Sequence, residues 1–242
     1  MSVVERHRWG SAPEFIGPRH ELRERLLLDL FLTAAPGQRV LNAGAGQGTF
    51  SLLLERQGFD VVSTDLSGEC VAALRQTLAG QAVEADVNEL PFGDRQFDAA
   101  VLGEVLEHIE DDGAAVREVG RVLKPGGIVA ISVPANPEEY GPADAWAGHF
   151  RRYSRETLVG LCASAGLSVE TCVGWGFPFT RLYHRHVYER RLERIGPATV
   201  KRWQLPAVWA LRMTLQADRL FVGVERGAFG YLLIASRPGE AS

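Results

Sequence analysis

At 242 residues, with 46% hydrophobic and 23% charged side chains, the chain is long enough to bury a full core and has the ordinary composition of one α/β domain. A formal net charge of −4 gives no global electrostatic reason to bind nucleic acid, and no apolar run is long enough to span a bilayer. Cys70, Cys162 and Cys172 are widely spaced and read as reduced, small hydrophobes rather than metal ligands; with a polar amino terminus that lacks a secretory core, they set the expectation of a cytoplasmic protein without a metal site.

Residues 1–18 carry Pro13, Gly17 and Pro18 among scattered aromatics and read as an irregular arm. From about His20 to Ala34, Leu22, Leu26, Leu30 and Phe31 share one face at helical spacing, and Pro36-Gly37 ends that helix. Short apolar runs then alternate with helical stretches. Strands are expected at Arg39–Ala43, Asp60–Thr64, Gln81–Ala85, Phe97–Leu102 and Gly127–Val133. Helices are expected at about Thr49–Gln57, Gly68–Leu78 and Ala114–Leu123, the last stopped by Pro125-Gly126-Gly127. This rhythm means βαβ units and a parallel sheet with helices on both faces. A loop rich in Pro, Gly and aromatics follows over Asn136–Tyr153, then a helix that Ser154 can cap and a strand at Ser168–Val173. Two helical stretches, about Thr180–Ile195 and Leu205–Phe221, precede a last strand at Tyr231–Ser236. The expected organisation is one domain: an arm and helix over 1–35, a core over 36–135, and a remainder over 136–242 with a helical insertion at about 178–222.

Val40–Gly48 is a hydrophobic strand running into Gly-x-Gly-x-Gly ahead of a helix at Thr49. Glycine belongs where a backbone turns sharply or approaches a ligand closely. Such a loop also suits a dinucleotide fold, but there the third glycine comes one place later than Gly48. Asp65 ends the next strand, about 20 residues on, where a carboxylate can accept both ribose hydroxyls. Asp86 ends the third strand and can accept from an adenine amino group. Either aspartate alone reads as a turn residue; together, at this spacing around the loop, they read as a nucleoside site.

The ordered segments VLNAGAGQGTFS, VVSTDLS, EADVNELPF, FDAAVLGEVLEHIED and VLKPGGIVAISVP, from about residue 38 to residue 134, resemble the class I S-adenosylmethionine (SAM)-dependent methyltransferases. The resemblance implies a Rossmann-like α/β fold: a seven-stranded, mostly parallel sheet of order 3-2-1-4-5-7-6 with the last strand antiparallel, helices on both faces and a helical cap insertion. It implies SAM as cofactor, lined by Gly44, Ala45, Gly46 and Gly48, with Asp65 on the ribose hydroxyls and Leu66 against the adenine. Asp86 and Val87 would border the adenine ring, and Gly103 with Glu104 would lie near the methionine part. Many relatives have an acidic residue at position 42, where this chain has Asn42. Asparagine accepts a hydrogen bond from the cofactor ammonium without supplying charge, a loss of roughly 1 kcal/mol.

The acceptor should sit beyond the carboxyl ends of the strands, against the loops after the fourth and fifth. Glu104 and His108 share a face if their segment is helical. Leu106-Glu107-His108 is common to relatives of many specificities, so His108 reads as structural. In Gly148-His149-Phe150-Arg151-Arg152-Tyr153-Ser154, His149 is the candidate general base and Arg152 a candidate for an anionic substrate group. Tyr140, Trp146 and Tyr153 are candidate acceptor contacts, and the alternative is that this segment packs the following helix onto the sheet. Trp9, Phe15, Arg19 and His20 form either a lid over the site or an aromatic patch that packs the first helix. Arg181, His184, Arg185, His186, Arg190, Arg191 and Arg194 make the 181–194 stretch basic: a solvated face, a dimer contact, a lid or peripheral contact with an anionic membrane.

The leading expectation is methyl transfer to a small molecule by a monomer or homodimer, with oxygen ahead of nitrogen or carbon as nucleophile. An RNA or protein methyltransferase competes with it, as does a non-catalytic SAM-binding protein; a NAD-dependent dehydrogenase is more distant. Gly103-Glu104-Val105-Leu106 stands where amino-group nucleic-acid methyltransferases have Asp/Asn-Pro-Pro-Tyr/Phe.

Overall fold

The computed structural model describes residues 17–189 and 205–239. The expected contacts of Trp9 and Phe15, and the positions of Arg190, Arg191 and Arg194, lie outside the described residues. Seven strands form one sheet: β1 (Arg39–Ala43), β2 (Asp60–Asp65), β3 (Gln81–Glu84), β4 (Phe97–Gly103), β5 (Leu123–Pro134), β6 (Ser168–Trp175) and β7 (Gly230–Ser236). Their order is β3-β2-β1-β4-β5-β7-β6, with β7 antiparallel to both β5 and β6. This is the sheet that the family resemblance implies.

Because β1 and β4 are buried on both sides, they are mostly apolar without alternation, yet successive side chains still serve opposite faces. Leu41, Ala100 and Val129 pack with Val116 and Val119 of α4 (Asp112–Val122) and Leu158 and Cys162 of α6 (Arg155–Ser164). On the other face, Val40, Ala99 and Ala130 pack with Leu22, Leu27 and Phe31 of α1 (Pro18–Ala34) and Leu54 of α2 (Thr49–Arg56). At the β3 edge, α3 (Gly68–Thr77) adds Val71 and Leu74 over Ala82, and Ser67 caps it by accepting from the Cys70 amide.

Ser154 caps α6 as expected, accepting from the Thr157 amide, and Asp111 caps α4 by accepting from Ala114. Two expectations need correction. The helix before β5 ends at Val122, not at the Pro-Gly-Gly run, because Leu123 already pairs with Phe97 and Lys124 precedes a proline that favours extended backbone. The stretch Asn136–Tyr153 is not irregular throughout. It holds a 3₁₀ turn at Pro137–Glu139 and a short helix α5 (Pro142–Ala147), each opened by a proline whose missing N–H costs nothing there.

In the insertion, α7 (Phe179–Tyr183) runs into a π-helical turn at His184–Tyr188, and α8 (Leu205–Gln216) continues as a 3₁₀ turn to Phe221. The two segments are tied by buried Asp218, whose carboxylate accepts from the amides of Phe179 and Thr180 at 2.9 and 2.7 Å. Leu211 and Leu215 of α8 pack into the α1-side core, whereas Trp209, Met213 and Leu220 are exposed. Among the described residues no helix is long and apolar enough to cross a membrane.

Candidate cofactor and acceptor site

Strand order reverses between β1 and β4, so their carboxyl ends open a crevice. Gly44, Gly46 and Gly48 all have left-handed backbone, at φ 71°, 54° and 78°. A side chain at Gly44 would meet Val105 at 2.6 Å and one at Gly48 would meet Leu74 at 2.4 Å, so both glycines are fixed by the protein's own packing. A Cβ on Gly46 or Gly103 would instead meet nothing within 4 Å, so the space beside each is open.

Asp65 has a role that spacing alone does not reveal. One carboxylate oxygen accepts from the Gly46 amide at 2.8 Å and the other from the Ser67 amide at 2.9 Å, clamping the glycine loop to the end of β2. A carboxylate offers about four lone-pair sites, so each oxygen keeps capacity for a ribose hydroxyl. Leu66 is 71% exposed beside it, a large apolar side chain left without a protein partner surface. Asp86 is exposed and accepts from the Asn88 amide at 2.8 Å, closing a turn through one carboxylate oxygen, while Val87 next to it in the chain is buried. The Asn42 side chain is buried and donates to Ser51 Oγ at 2.8 Å, which bonds Ser63 Oγ at 2.8 Å.

Glu104 adopts φ 58°, an unfavourable backbone for a residue with a side chain, held by its amide on the Ser132 carbonyl. Its carboxylate accepts from Ser132 Oγ at 3.1 Å and lies 3.5 Å from the Arg23 guanidinium. Among the described residues, Arg23 Nε is buried with no hydrogen-bond partner. A carboxylate and a guanidinium side by side complement an α-ammonium and α-carboxylate, so the pair fits the amino-acid end of SAM. Arg23 escapes the sequence reading although it stands four residues after Arg19 on one helix face.

Across the crevice, the 3₁₀ turn Leu106–His108 follows β4 and the segment from α5 to Tyr153 follows β5. The ring of His149 bonds Asp144 Oδ1 through Nδ1 at 2.8 Å and stands edge-on to His108, centroids 4.6 Å apart. Asp144 is 2% exposed and also receives both its oxygens' bonds from Arg152 Nε at 2.9 Å. Burial pushes the Asp144 carboxyl up, but His149 and Arg152 outweigh it and hold it down at about 2. Burial, with His149 adding to it, pushes the His108 imidazole down to about 3, so it is neutral. Burial and the nearby Glu104 push the Glu107 carboxyl well above the ordinary range.

Two expected acceptor contacts are corrected. Arg152 is buried and spends its guanidinium on Asp144 and the Ala135 carbonyl, so it braces Asp144 instead of meeting a substrate anion. Tyr153 is buried in the α4–α6 core, its hydroxyl donating to Asp112 at 2.7 Å. Tyr140 stays 44% exposed and donates to the His149 carbonyl, and Trp146 is half-buried on α5. Arg19 lies over the rings of Tyr188 and Phe229, 5.2 Å from each centroid, which joins the first helix to the insertion. His184 stacks on Tyr188 in the same cluster.

The reversed last strand, glycine loop, Asp65 clamp and Glu104–Arg23 pair define a class of α/β proteins built around a nucleoside that carries an amino acid. Residues 41–131 match the family described as methyltransferase domain. The chain is 30% identical over 203 residues to the ubiquinone biosynthesis O-methyltransferase of Pseudomonas fluorescens, covering 73% of this chain and 85% of that one. It is 37% identical over 130 residues to the demethylmenaquinone methyltransferase of Beutenbergia cavernae, a match that spans about half of each, 53%. The Burkholderia thailandensis 1,6-didemethyltoxoflavin-N1-methyltransferase, solved with S-adenosylhomocysteine, shares the fold at TM-score 0.57 and 19% identity over 90% of this chain and 78% of its own. The chain belongs to the class I SAM-dependent methyltransferases.

Proposed function

We propose that the chain methylates a hydroxyl oxygen of a small-molecule acceptor held between Glu104 and His149. The observation that carries this reading is the buried Asp144 carboxylate fixing His149 at the crevice mouth, opposite His108. A hydroxyl must lose its proton as it becomes an ether, and a carboxylate-oriented imidazole is suited to managing that proton. The O-methyltransferase named among its relatives supports oxygen as the nucleophile. When bound, SAM supplies a methyl carbon on a positively charged sulfur. The chain's own tasks are then to seat the nucleoside between Asp65 and Leu66, to hold the amino-acid end on Glu104 and Arg23, and to orient the acceptor oxygen. Holding that oxygen in line supplies much of the rate. The test is product formation from SAM and a panel of phenols, quinols and aliphatic alcohols. Turnover on a hydroxyl that falls by about 100-fold or more in His149→Ala supports the reading; SAM binding without product from any hydroxyl acceptor sinks it and leaves a SAM-binding protein.

A further inference from the structure

Glu107, His108 and His149 bring one carboxylate oxygen and two imidazole nitrogens within 4.8 Å of one another at the crevice mouth. The Glu107 side chain is fully buried, and among the described residues neither of its oxygens has a hydrogen-bond partner. A buried carboxyl without a donor or acceptor is uncompensated in either protonation state, and an ion seated against it would take the place of its proton and supply the missing partner. His149 is already oriented as a ligand would be: Asp144 holds its Nδ1 side at 2.8 Å, leaving Nε2 for the cluster. An outer carboxylate on the far nitrogen is the usual support for a metal-bound histidine.

We propose that Glu107, His108 and His149 bind one divalent transition-metal ion on the acceptor side of the site. Two imidazoles and one carboxylate suit zinc, cobalt, manganese or iron better than the all-oxygen preference of magnesium or calcium. Three protein ligands leave coordination positions open for an acceptor hydroxyl. An acceptor hydroxyl that coordinates there breaks its O–H bond, the proton passes to water, and the oxygen stays on the ion as the nucleophile. His149 then manages the proton by holding the ion instead of taking the proton itself. That role for the ion rests on the hydroxyl-methylation reading; the binding site does not.

Chelator-treated protein is titrated with Zn2+ by calorimetry and with Co2+ by visible absorption. One equivalent of each is expected, with Co2+ bands typical of mixed nitrogen and oxygen ligands. Glu107→Gln and His108→Ala should each weaken Zn2+ binding by on the order of 100-fold, while His186→Ala, an exposed histidine outside the cluster, changes nothing. Thermal unfolding checks each variant; the near-isosteric Glu107→Gln carries the test if His108→Ala does not fold. No stoichiometric ion in the unsubstituted protein, or equal affinity in Glu107→Gln, overturns the site. If the ion-free protein turns over at full rate while His149→Ala is inactive, the ion's role falls and direct proton transfer to His149 stands. If no hydroxyl is methylated at all, the functional reading falls, and the Zn2+ and Co2+ titrations still decide the site.

Discussion

The cofactor side and the acceptor side of this crevice are built on different physics. On the cofactor side the geometry is mostly backbone: three left-handed glycines, a strand-end aspartate that holds two amides, and one strained residue, Glu104. On the acceptor side it is a buried polar network in which Asp144 ties Arg152 and His149 together, with Glu107 and His108 beside it. A backbone cradle tolerates variation in the surrounding side chains. A buried charge network does not, because removing one member leaves the others desolvated and unpaired.

The two sides should therefore separate under alkali, since the core behind the acceptor side holds Cys162 and Cys172. Burial pushes their thiols up to about 12 and about 11. Between about pH 9 and pH 12 the unfolded chain binds fewer protons than the folded one, so the Cys162 contribution is fully present below about 9 and lost as pH rises towards 12. A three-unit shift corresponds to about 4 kcal/mol. Unfolding free energy measured against pH should fall over that window, and Cys162→Ala should lessen the slope, with Cys172 and the buried Tyr153 hydroxyl, whose proton is also held well above its ordinary range, keeping the rest. An unchanged slope would place the alkaline weakness elsewhere.

Asp144→Asn makes the cleaner cut between the two sides. Arg152 stays buried without its charge partner and His149 keeps only a neutral amide oxygen in place of the carboxylate, at a cost of about 3 kcal/mol in denaturant unfolding. Turnover should fall with it, while SAM affinity shifts by less than about twofold because the sites do not share partners. Asp65→Ala is the mirror experiment. It frees the Gly46 and Ser67 amides and removes the acceptor for the ribose, so SAM affinity should drop by roughly a hundredfold, just under 3 kcal/mol. Isotherms for the two variants that moved SAM affinity equally would erase the distinction.

That distinction also explains what could be read in advance. The strands, the glycine loop and Asp65 follow from local rules: short apolar runs, glycine spacing and an acidic residue at a strand end; the strand order follows from the family resemblance those segments carry. Arg23, Asp144 and Glu107 gave no such signal. Asp144 lies in a stretch that reads as loop, and its value comes from Arg152 and His149 folding back onto it through α5. The side chains of Arg152 and Tyr153 turn inward for the same reason, since long-range pairing with Asp144 and Asp112 decides between substrate contact and packing of the following helix.

Asn42 is the smallest lever and tests the cofactor side at its one departure from many relatives. Its amide donates to Ser51, and Ser51 and Ser63 share a further hydrogen bond. In Asn42→Asp the donor is lost, so the Ser51 hydroxyl must turn to donate to residue 42 and Ser63 must donate to Ser51. Both hydroxyls can do so, because each is donor and acceptor. The rearranged chain presents a carboxylate to the cofactor ammonium and gains a charge-assisted bond of about 1 kcal/mol, or about fivefold tighter SAM binding. Without cofactor the same carboxylate is buried beside two hydroxyls and no cation, so the ligand-free protein should melt lower than the parent while the SAM-saturated proteins converge. Calorimetric affinity and melting with and without SAM measure both halves of that trade. If affinity stays level, the ammonium is held by Glu104 alone, and position 42 serves only to brace α2 against β2 through Ser51 and Ser63.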